Sequence, residues 1–475
     1  MILPDSAALT PVRKQAILAI VLLSYVLIVL DISIVITGLE KLQAELGFSE
    51  VGLSWVSSIY TLAFGSVLLL GARAGDMHGR RRMFLLGLGL FTLASLAIGL
   101  AASPEWVIAG RAIQGLGAAV LAPSTLALLQ TTFAPGPERT KALAYYAAAA
   151  GVSASVGLVL GGILADWVSW RAGFLMNVPL GLGLLIAARR CIDESARLGG
   201  RMDWAGVVMS TLGMGALVHG VVRSATAGWS DPLTLASLVI GVTALALFVR
   251  IERRAAPPLM PLRLFASRER SGAYAARLLF LGANVGFYFF ISQFFQQVMG
   301  LSAAGAGLAF LPATLVNFAA ALAVPRLASR FGSGPVLIAS LGASALGFLG
   351  LARGVSSQAD LFGLAVPMML VGLGQGGALA PLTQSGVAGV TPDETGAASG
   401  VVNAAHQLGS SLGLAVLVAV AAAAGTGPAA GALQSGQISA ALWAGLGLVV
   451  AALVLSWALI LPAAPKARPA PFPAS

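Results

Sequence analysis

Apolar residues in this chain run in stretches too long for strands and too continuous for the one-sided stripe of a soluble helix. A helix crosses the hydrocarbon of a bilayer with about 20 mainly apolar residues. Runs of that order recur near 15–37, 51–71, 83–102, 106–131, 142–165, 173–188, 205–222, 233–249, 278–299, 303–323, 335–352, 360–388, 396–424 and 438–461. The pattern predicts an all-α integral membrane protein of about fourteen spans, or twelve if a weak pair is merged. The segments between the runs are short and rich in arginine. One of them, GARAGDMHGRRR at Gly71–Arg82, has the look of a phosphate-gripping loop, a nucleic-acid patch or a turn between two spans.

Composition separates these alternatives. The 475 residues are 58% hydrophobic and only 10% charged, against roughly 25% charged in soluble domains. The net charge is +10, yet no charged block is long enough to form a nucleic-acid-binding face. No GK[ST] follows the Gly71–Arg82 stretch, which excludes a P-loop. The expected partners are the lipid bilayer and a small amphipathic substrate, with no nucleic acid and a monomeric chain. A single cysteine, Cys191, gives no disulfide framework and no paired-cysteine metal site. The first apolar run is of span length, longer than a signal-peptide core, and is expected to stay as an anchor.

Charge also sets the orientation, because cytoplasmic loops retain Lys and Arg. With the N-terminus inside, 23 of the 28 Lys and Arg residues fall in cytoplasmic segments, Arg277 among them. Lys41, Arg171, Arg223 and Arg353 fall outside, and Arg111 alone falls within a span. Both termini are then cytoplasmic, and Gly71–Arg82 is the turn between the second and third spans.

Transporter folds are often duplicated, and this chain carries an internal echo. RAGDMHGRRRMFLLGLG, Arg73–Gly89, aligns without gaps to RLASRFGSGPVLIASLG, Arg326–Gly342, pairing Gly79 with Gly332 and placing Ser329 opposite Asp76. LAPST at Leu121–Thr125 matches LAPLT at Leu379–Thr383. The expected organisation is a six-helix bundle over 1–188, an inserted helix pair with basic connectors over 189–271 and a second six-helix bundle over 272–461. A Pro/Ala-rich cytoplasmic tail, 462–475, is expected to be disordered.

These residues resemble the fourteen-span drug/proton antiporter branch of the major facilitator superfamily. Gly71, Asp76, Gly79, Arg80 and Arg81 follow that superfamily's GxLxDRxGRR turn, and RAIQGLGAA, Arg111–Ala119, is similar to its fourth-span signature. Gly151, Gly157, Gly161 and Gly162 fit the antiporter glycine series, with Leu158 in place of its proline. LDISIVITGLEKLQAELGFS at Leu30–Ser49 and WRAGFLMNVPLG at Trp170–Gly181 are similar to further segments of the branch. The resemblance implies two pseudo-symmetric six-helix bundles plus two inserted helices, and proton-coupled multidrug efflux in a bacterial cytoplasmic membrane, with a proton-relay role for Arg111. The proton gradient is the energy source, with no cofactor and no metal.

Candidate chemistry follows from polar groups inside apolar runs. Asp31 stands within LIVLDISIVIT, where a carboxylate costs several kcal/mol unless paired, hydrated or protonated. It is the leading candidate for proton coupling and for attracting a cationic drug, against a structural carboxylate bonded to Ser33 or Ser24. Arg111 cannot shed its proton; it is placed to pair with Asp31 or to bond Gln114. His406 is a secondary proton-handling candidate. Gly157, Gly161 and Gly162 form a packing and hinge device. Gly71 and Gly79 permit a tight cytoplasmic turn, where Asp76 caps a helix or pairs with an arginine, and with Arg80 and Arg81 they form a conformational latch. Tyr60, Gln114, Asn284, Phe287, Gln293, Asn317 and Asn403 join Asp31 as candidates for the substrate cavity. Together they predict an efflux antiporter for lipophilic, cationic drugs, dyes or antibiotics. A dedicated exporter of one endogenous antibiotic or metabolite, or a proton-linked importer, is the alternative. An enzyme is disfavoured because no nucleophile–base arrangement is found.

Overall fold

The computed structural model describes residues 10–133, 137–194, 203–255, 260–356, 359–390, 395–425 and 435–462. Helices account for nearly all of them, and the described residues contain no strand. Within the bilayer a backbone must satisfy its own hydrogen bonds, which leaves the helix as the economical solution for such apolar runs. The first compact unit, Met1–Thr211, holds α1 (Pro11–Leu46), α2 (Glu50–His78), α3 (Arg80–Gly99), α4 (Pro104–Thr132), α5 (Pro137–Trp167), α6 (Trp170–Leu175) and α7 (Asn177–Cys191). α8 (Trp204–Ala227) spans the boundary. The second unit, Leu212–Ser475, continues with α9 (Pro232–Glu252), α10 (Arg268–Gln293), α11 (Ala303–Ala309), α12 (Leu311–Phe331), α13 (Ser333–Gly354), α14 (Leu361–Gly386), α15 (Thr395–Ala423) and α16 (Ser435–Leu455).

Thirteen helical stretches among the described residues are long and apolar enough to cross a membrane. Within α5 the apolar stretch Val156–Trp167 is shorter. Two expected spans are jointed: 173–188 is divided between α6 and α7, and 303–323 between α11 and α12, where Pro312 sits in the first turn. The helices also run past the apolar windows. α1 begins with Pro11 behind a Thr10 cap and ends at Gly47 in the left-handed region, so polar residues beyond the hydrocarbon remain helical.

Packing repeats in the two units. α1 lies on α5, and α2 and α3 both lie on α4; likewise α10 lies on α15, and α12 and α13 lie on α14. Small residues permit the close approaches. A Cβ added to Gly157 would stand 3.0 Å from Leu30 O, and one on Gly161 would stand 2.5 Å from Ile34 O, both in α1. α15 uses Gly409 and Gly413 in the same way against Leu278 and Gly282 of α10. Gly162 is buried beside them, and α5 continues without interruption through Leu158.

The duplicated turn is a backbone feature. Gly79 ends α2 and starts α3 at φ +102°, and Gly332 ends α12 and starts α13 at φ +87°. Both donate their N–H to a carbonyl four residues back, Gly75 O at 3.1 Å and Ala328 O at 2.9 Å. Gly71 departs from expectation: it lies inside α2, not in the turn, and a Cβ there would meet Ala119 O of α4 at 2.2 Å. Arg277 departs too. It lies inside α10 at 6% exposure rather than in a loop, because that helix starts ten residues before its apolar window.

Gly79→Ala is expected to destabilise the protein by about 1–3 kcal/mol, the cost of forcing an L residue into this backbone region. Gly89, in α3 with open space around it, is the control, since Gly89→Ala is expected to be neutral or to stabilise by about 0.5–1 kcal/mol. Thermal unfolding of the purified variants in detergent measures both.

Candidate functional site

Six helices of the first unit converge on one buried ion pair. Asp31 of α1 is 1% exposed, and Arg111 of α4 is likewise 1% exposed. The Arg111 Nη1 donates to Asp31 Oδ2 at 2.6 Å and to Gln114 Oε1 at 2.6 Å. The other carboxylate oxygen, Oδ1, accepts from Gln114 Nε2 at 2.9 Å and from Asn177 Nδ2 at 2.8 Å. Ser95 Oγ of α3 accepts from Gln114 Nε2 at 2.8 Å and from Asn177 Nδ2 at 3.3 Å. The rest of the guanidinium is held by α2: Nε donates to Val56 O at 2.9 Å, and the Tyr60 ring lies 4.2 Å beneath the guanidinium carbon. Phe174 of α6 adds a second ring at 5.9 Å.

Local sequence explains each placement. Arg111 and Gln114 are three apart on α4, so they share a helix face. Asn177 is the first residue of α7, delivered to Asp31 by the joint at Met176. The alternatives for Asp31 are not adopted, since Ser33 Oγ donates to Val29 O at 3.2 Å and Ser24 Oγ has no hydrogen-bond partner among the described residues. Two further buried atoms in the cage, Tyr60 Oη and Asn177 Oδ1, have no hydrogen-bond partner among the described residues.

This is an ion pair in which both carboxylate oxygens accept hydrogen bonds, the condition under which buried charges are tolerated. At 1% exposure Asp31 leaves no face open to a cationic ligand. Asp31, Arg111, Gln114 and Tyr60 were singled out from the sequence; Asn177 and Ser95 were missed. Asn177 had a signal, an amide inside the apolar run FLMNVPLG, whereas a serine four residues before Gly99 looks like ordinary small-residue packing.

A second cluster ties the α2–α3 turn to its neighbours. The carboxylate of Glu194, just past α7, accepts from Arg81 N at 3.1 Å and Arg82 N at 3.2 Å, capping the first turn of α3, which its own N-cap residue Gly79 leaves bare. Arg81 Nη2 donates to Arg189 O at 2.7 Å and Arg80 Nη1 to Ala127 O at 3.4 Å. Arg13 reaches from α1 to Cys191 O at 2.9 Å and Asp193 Oδ1 at 2.6 Å. The side chain of Asp76, the expected cap, lies outside the described residues; among those described, Glu194 caps α3.

The remaining candidates lie in the second unit and form no single cluster. Asn284 is buried and donates to Phe280 O at 2.8 Å. Phe287 belongs to an aromatic group with Tyr288, Phe310 and Phe348. Gln293 is buried and accepts from Gln297 at 3.3 Å. The Asn317 carbonyl faces Gly376 of α14, and Asn403 is exposed. His406 Nδ1 lies 3.1 Å from Arg277 Nη2.

The model of the Major Facilitator Superfamily matches residues 21–414. The chain is 42% identical over 402 residues to the cephamycin export protein CmcT of Amycolatopsis lactamdurans, covering 84% of this chain and 83% of that one. It is 37% identical over 459 residues to the puromycin resistance protein pur8 of Streptomyces alboniger, covering 93% and 90%. The crystal structure of the nucleoside transporter NupG matches with a TM-score of 0.64 at 14% identity, covering 94% of this chain and 99% of that chain, a likeness of fold.

Arg111→Met strands the Asp31 charge and is expected to cost about 3–5 kcal/mol of stability. The double variant Asp31→Leu/Arg111→Met is expected to lose less than the two single variants summed, because neither charge is left alone. Glu194→Ala is expected to cost about 0.5–2 kcal/mol as a lost helix cap. Thermal unfolding of the four purified variants checks these three expectations.

Proposed function

This chain belongs to the Major Facilitator Superfamily, and we propose that it works there as a fourteen-span, proton-coupled antiporter exporting antibiotic-like drugs by alternating access. In this reading both termini are cytoplasmic, the membrane is the bacterial cytoplasmic membrane and the working unit is the monomer. The bundles 1–188 and 272–461 are the moving halves, and α8 and α9 are the inserted pair. That the protein is a transporter and not an enzyme follows from its family and relatives.

The observation that carries the proton-coupling reading is the enclosure of Asp31. A guanidinium does not serve as a proton carrier, so the protonation state of Asp31 decides whether the pair attracts. With Asp31 ionised, Arg111 and Asn177 bind α1, α4 and α7 together through it. A proton arriving on Oδ2 removes the counter-charge from Arg111, weakens the link between α1 and α4 and frees the guanidinium to move towards its remaining partners, Val56 O and Gln114. Two protonation states thereby favour two helix arrangements, as coupling requires. Drug and proton need not touch the same atom; Arg111 carries the message between them. Glu194, with Arg80, Arg81 and Asp76, is the latch on the cytoplasmic turn, and the Gly157–Gly161–Gly162 face is where α5 bends or slides on α1.

A narrower cargo range is the second reading. Two relatives named for single antibiotics, cephamycin and puromycin, support a dedicated exporter, while another is named for multidrug resistance.

Reconstitution into proteoliposomes with an imposed pH gradient tests the mechanism. Asp31→Asn, which preserves the size of the side chain, is expected to abolish gradient-driven uptake while exchange of substrate across the membrane without a gradient persists. Gradient-driven uptake at the wild-type rate would remove Asp31 from the mechanism.

A further inference from the structure

The face of α1 that carries Asp31 continues beyond it. Asp31, Ile34, Gly38, Leu42 and Glu45 recur at three- and four-residue spacing, which sets them on one side of the helix. The two carboxylates stand about four turns, roughly 21 Å, apart along that side. At the Asp31 end the face meets the cage. Towards Glu45 it meets α6, the six-residue helix that leads into Asn177. Glycines let the two come together: a Cβ on Gly38 would stand 3.7 Å from Trp170 Cβ, and one on Gly173 would stand 2.5 Å from Ile34 Cγ2.

Trp170 begins α6 and is 5% exposed, and a buried indole N–H needs an acceptor. Glu45, itself exposed, supplies it: Trp170 Nε1 donates to Glu45 Oε2 at 2.7 Å. The other carboxylate oxygen accepts from Arg171 Nη1. Arg171 Nη2 donates to Ala101 O at 3.0 Å, and the guanidinium carbon lies 4.4 Å over the Trp170 ring. One surface carboxylate therefore clasps both leading residues of α6.

From this clasp a line of contacts runs to the cage. Trp170 meets Phe174 edge to face, with 6.1 Å between ring centres and 85° between planes, and Phe174 lies 5.9 Å from the Arg111 guanidinium carbon. Both rings border a small apolar gap between α1, α5 and α6, lined also by Leu42, Gly161 and Ala165. A ring beside a gap lacks partner atoms on that side, so packing holds it weakly and the hydrogen bond to Glu45 fixes its direction. Three residues past Phe174, Asn177 Nδ2 donates to Asp31 Oδ1 at 2.8 Å. Asp31 is faced by Arg111 of α4 and, across the guanidinium, by Tyr60 of α2. Glu45 is faced by Arg171 of α6, with the Lys41–Asp166 pair at 3.5 Å and Glu40 beside them.

We propose that Glu45 is a positioning residue for the buried pair: through Trp170 it holds α6, and α6 holds the Phe174 ring on Arg111 and the Asn177 amide on Asp31. Glu45 touches neither member of the pair and acts along contiguous contacts. The inference rests on the coupling reading only in calling the cage a proton device.

A double-variant cycle on the full-length protein, read by thermal unfolding in detergent, tests it. Residues this far apart lose stability additively unless something links them. Glu45→Ala and Asn177→Ala are each expected to lower the melting temperature, and the double variant to lose at least about 2 °C less than their sum. Glu45→Ala with Glu194→Ala is the control and is expected to add to within about 1 °C. Trp170→Phe, which keeps a ring and removes the N–H, is expected to replace Glu45→Ala in the cycle, and Glu45→Gln to return part of the loss by restoring one acceptor. Phe174→Leu takes the cage position if Asn177→Ala fails to fold. Additive losses for Glu45 with both Asn177 and Phe174 make the clasp a local brace and overturn the proposal. Ethidium uptake driven by a pH gradient in proteoliposomes is the separate arm. Glu45→Ala is expected to lower its maximal rate about threefold or more with the half-saturating concentration within about twofold of wild type; the reverse pattern overturns the positioning role. A non-additive cycle in a protein whose wild type takes up no ethidium upholds the positioning role and counts against the efflux reading alone.

Discussion

A carboxylate and a guanidinium cannot be carried into a bilayer unless the chain surrounds them, and much of the first unit is arranged to do so. The Asp31–Arg111 pair needs α1 and α4 side by side, an amide from α7, a hydroxyl from α3 and a backbone carbonyl with an aromatic face from α2. The glycines that let α5 close on α1 and α2 close on α4 serve the same end, because a loosely packed bundle would admit water and dissipate the strength of the pair. Fold and chemistry are one problem here: removing a packing glycine and removing a cage residue disturb the same object.

Much of this is legible in the sequence. Long apolar runs reveal the membrane class, with thirteen helical stretches among the described residues long and apolar enough to cross a bilayer, and the gap-free echo of Arg73–Gly89 locates a turn whose two copies share a left-handed glycine. Asp31, Arg111 and Gln114 stood out because each is costly inside an apolar run. What stayed hidden depends on which residues meet across helices. Glu194 follows the sixth apolar run like any loop acid, and nothing in one dimension places it over the N–H groups of Arg81 and Arg82. Gly71 belongs to the turn by sequence motif and to the α2–α4 contact by position, a distinction that only the length of α2 decides. Arg277 was misplaced for the same reason, since α10 begins ten residues before its hydropathy rises.

The two units show how a duplicated plan diverges. Glycine pairs four residues apart seat α5 on α1 and α15 on α10, and neither pair can be enlarged without moving backbone. Side chains at the turns have gone different ways. Gly79 is pressed against the Glu194 carboxylate, whereas the nearest atom to an added Cβ at Gly332 is Pro335 Cδ at 3.7 Å, and Ser329, opposite Asp76, bonds its own helix at Arg326 O. One turn is clasped from another helix and its copy is open.

Every member of the Asp31 cage lies between Asp31 and Asn177, inside a single compact unit. That confinement bears on inheritance. Substitutions in α10–α16 leave the cage untouched, so selection by a new toxic compound can rework the second half while the ion pair stays as it was. Genetic exchange of the sequence beyond Thr211 would carry the whole cage over intact in one step. Such a division lets one half of a transporter change while the buried pair is inherited whole.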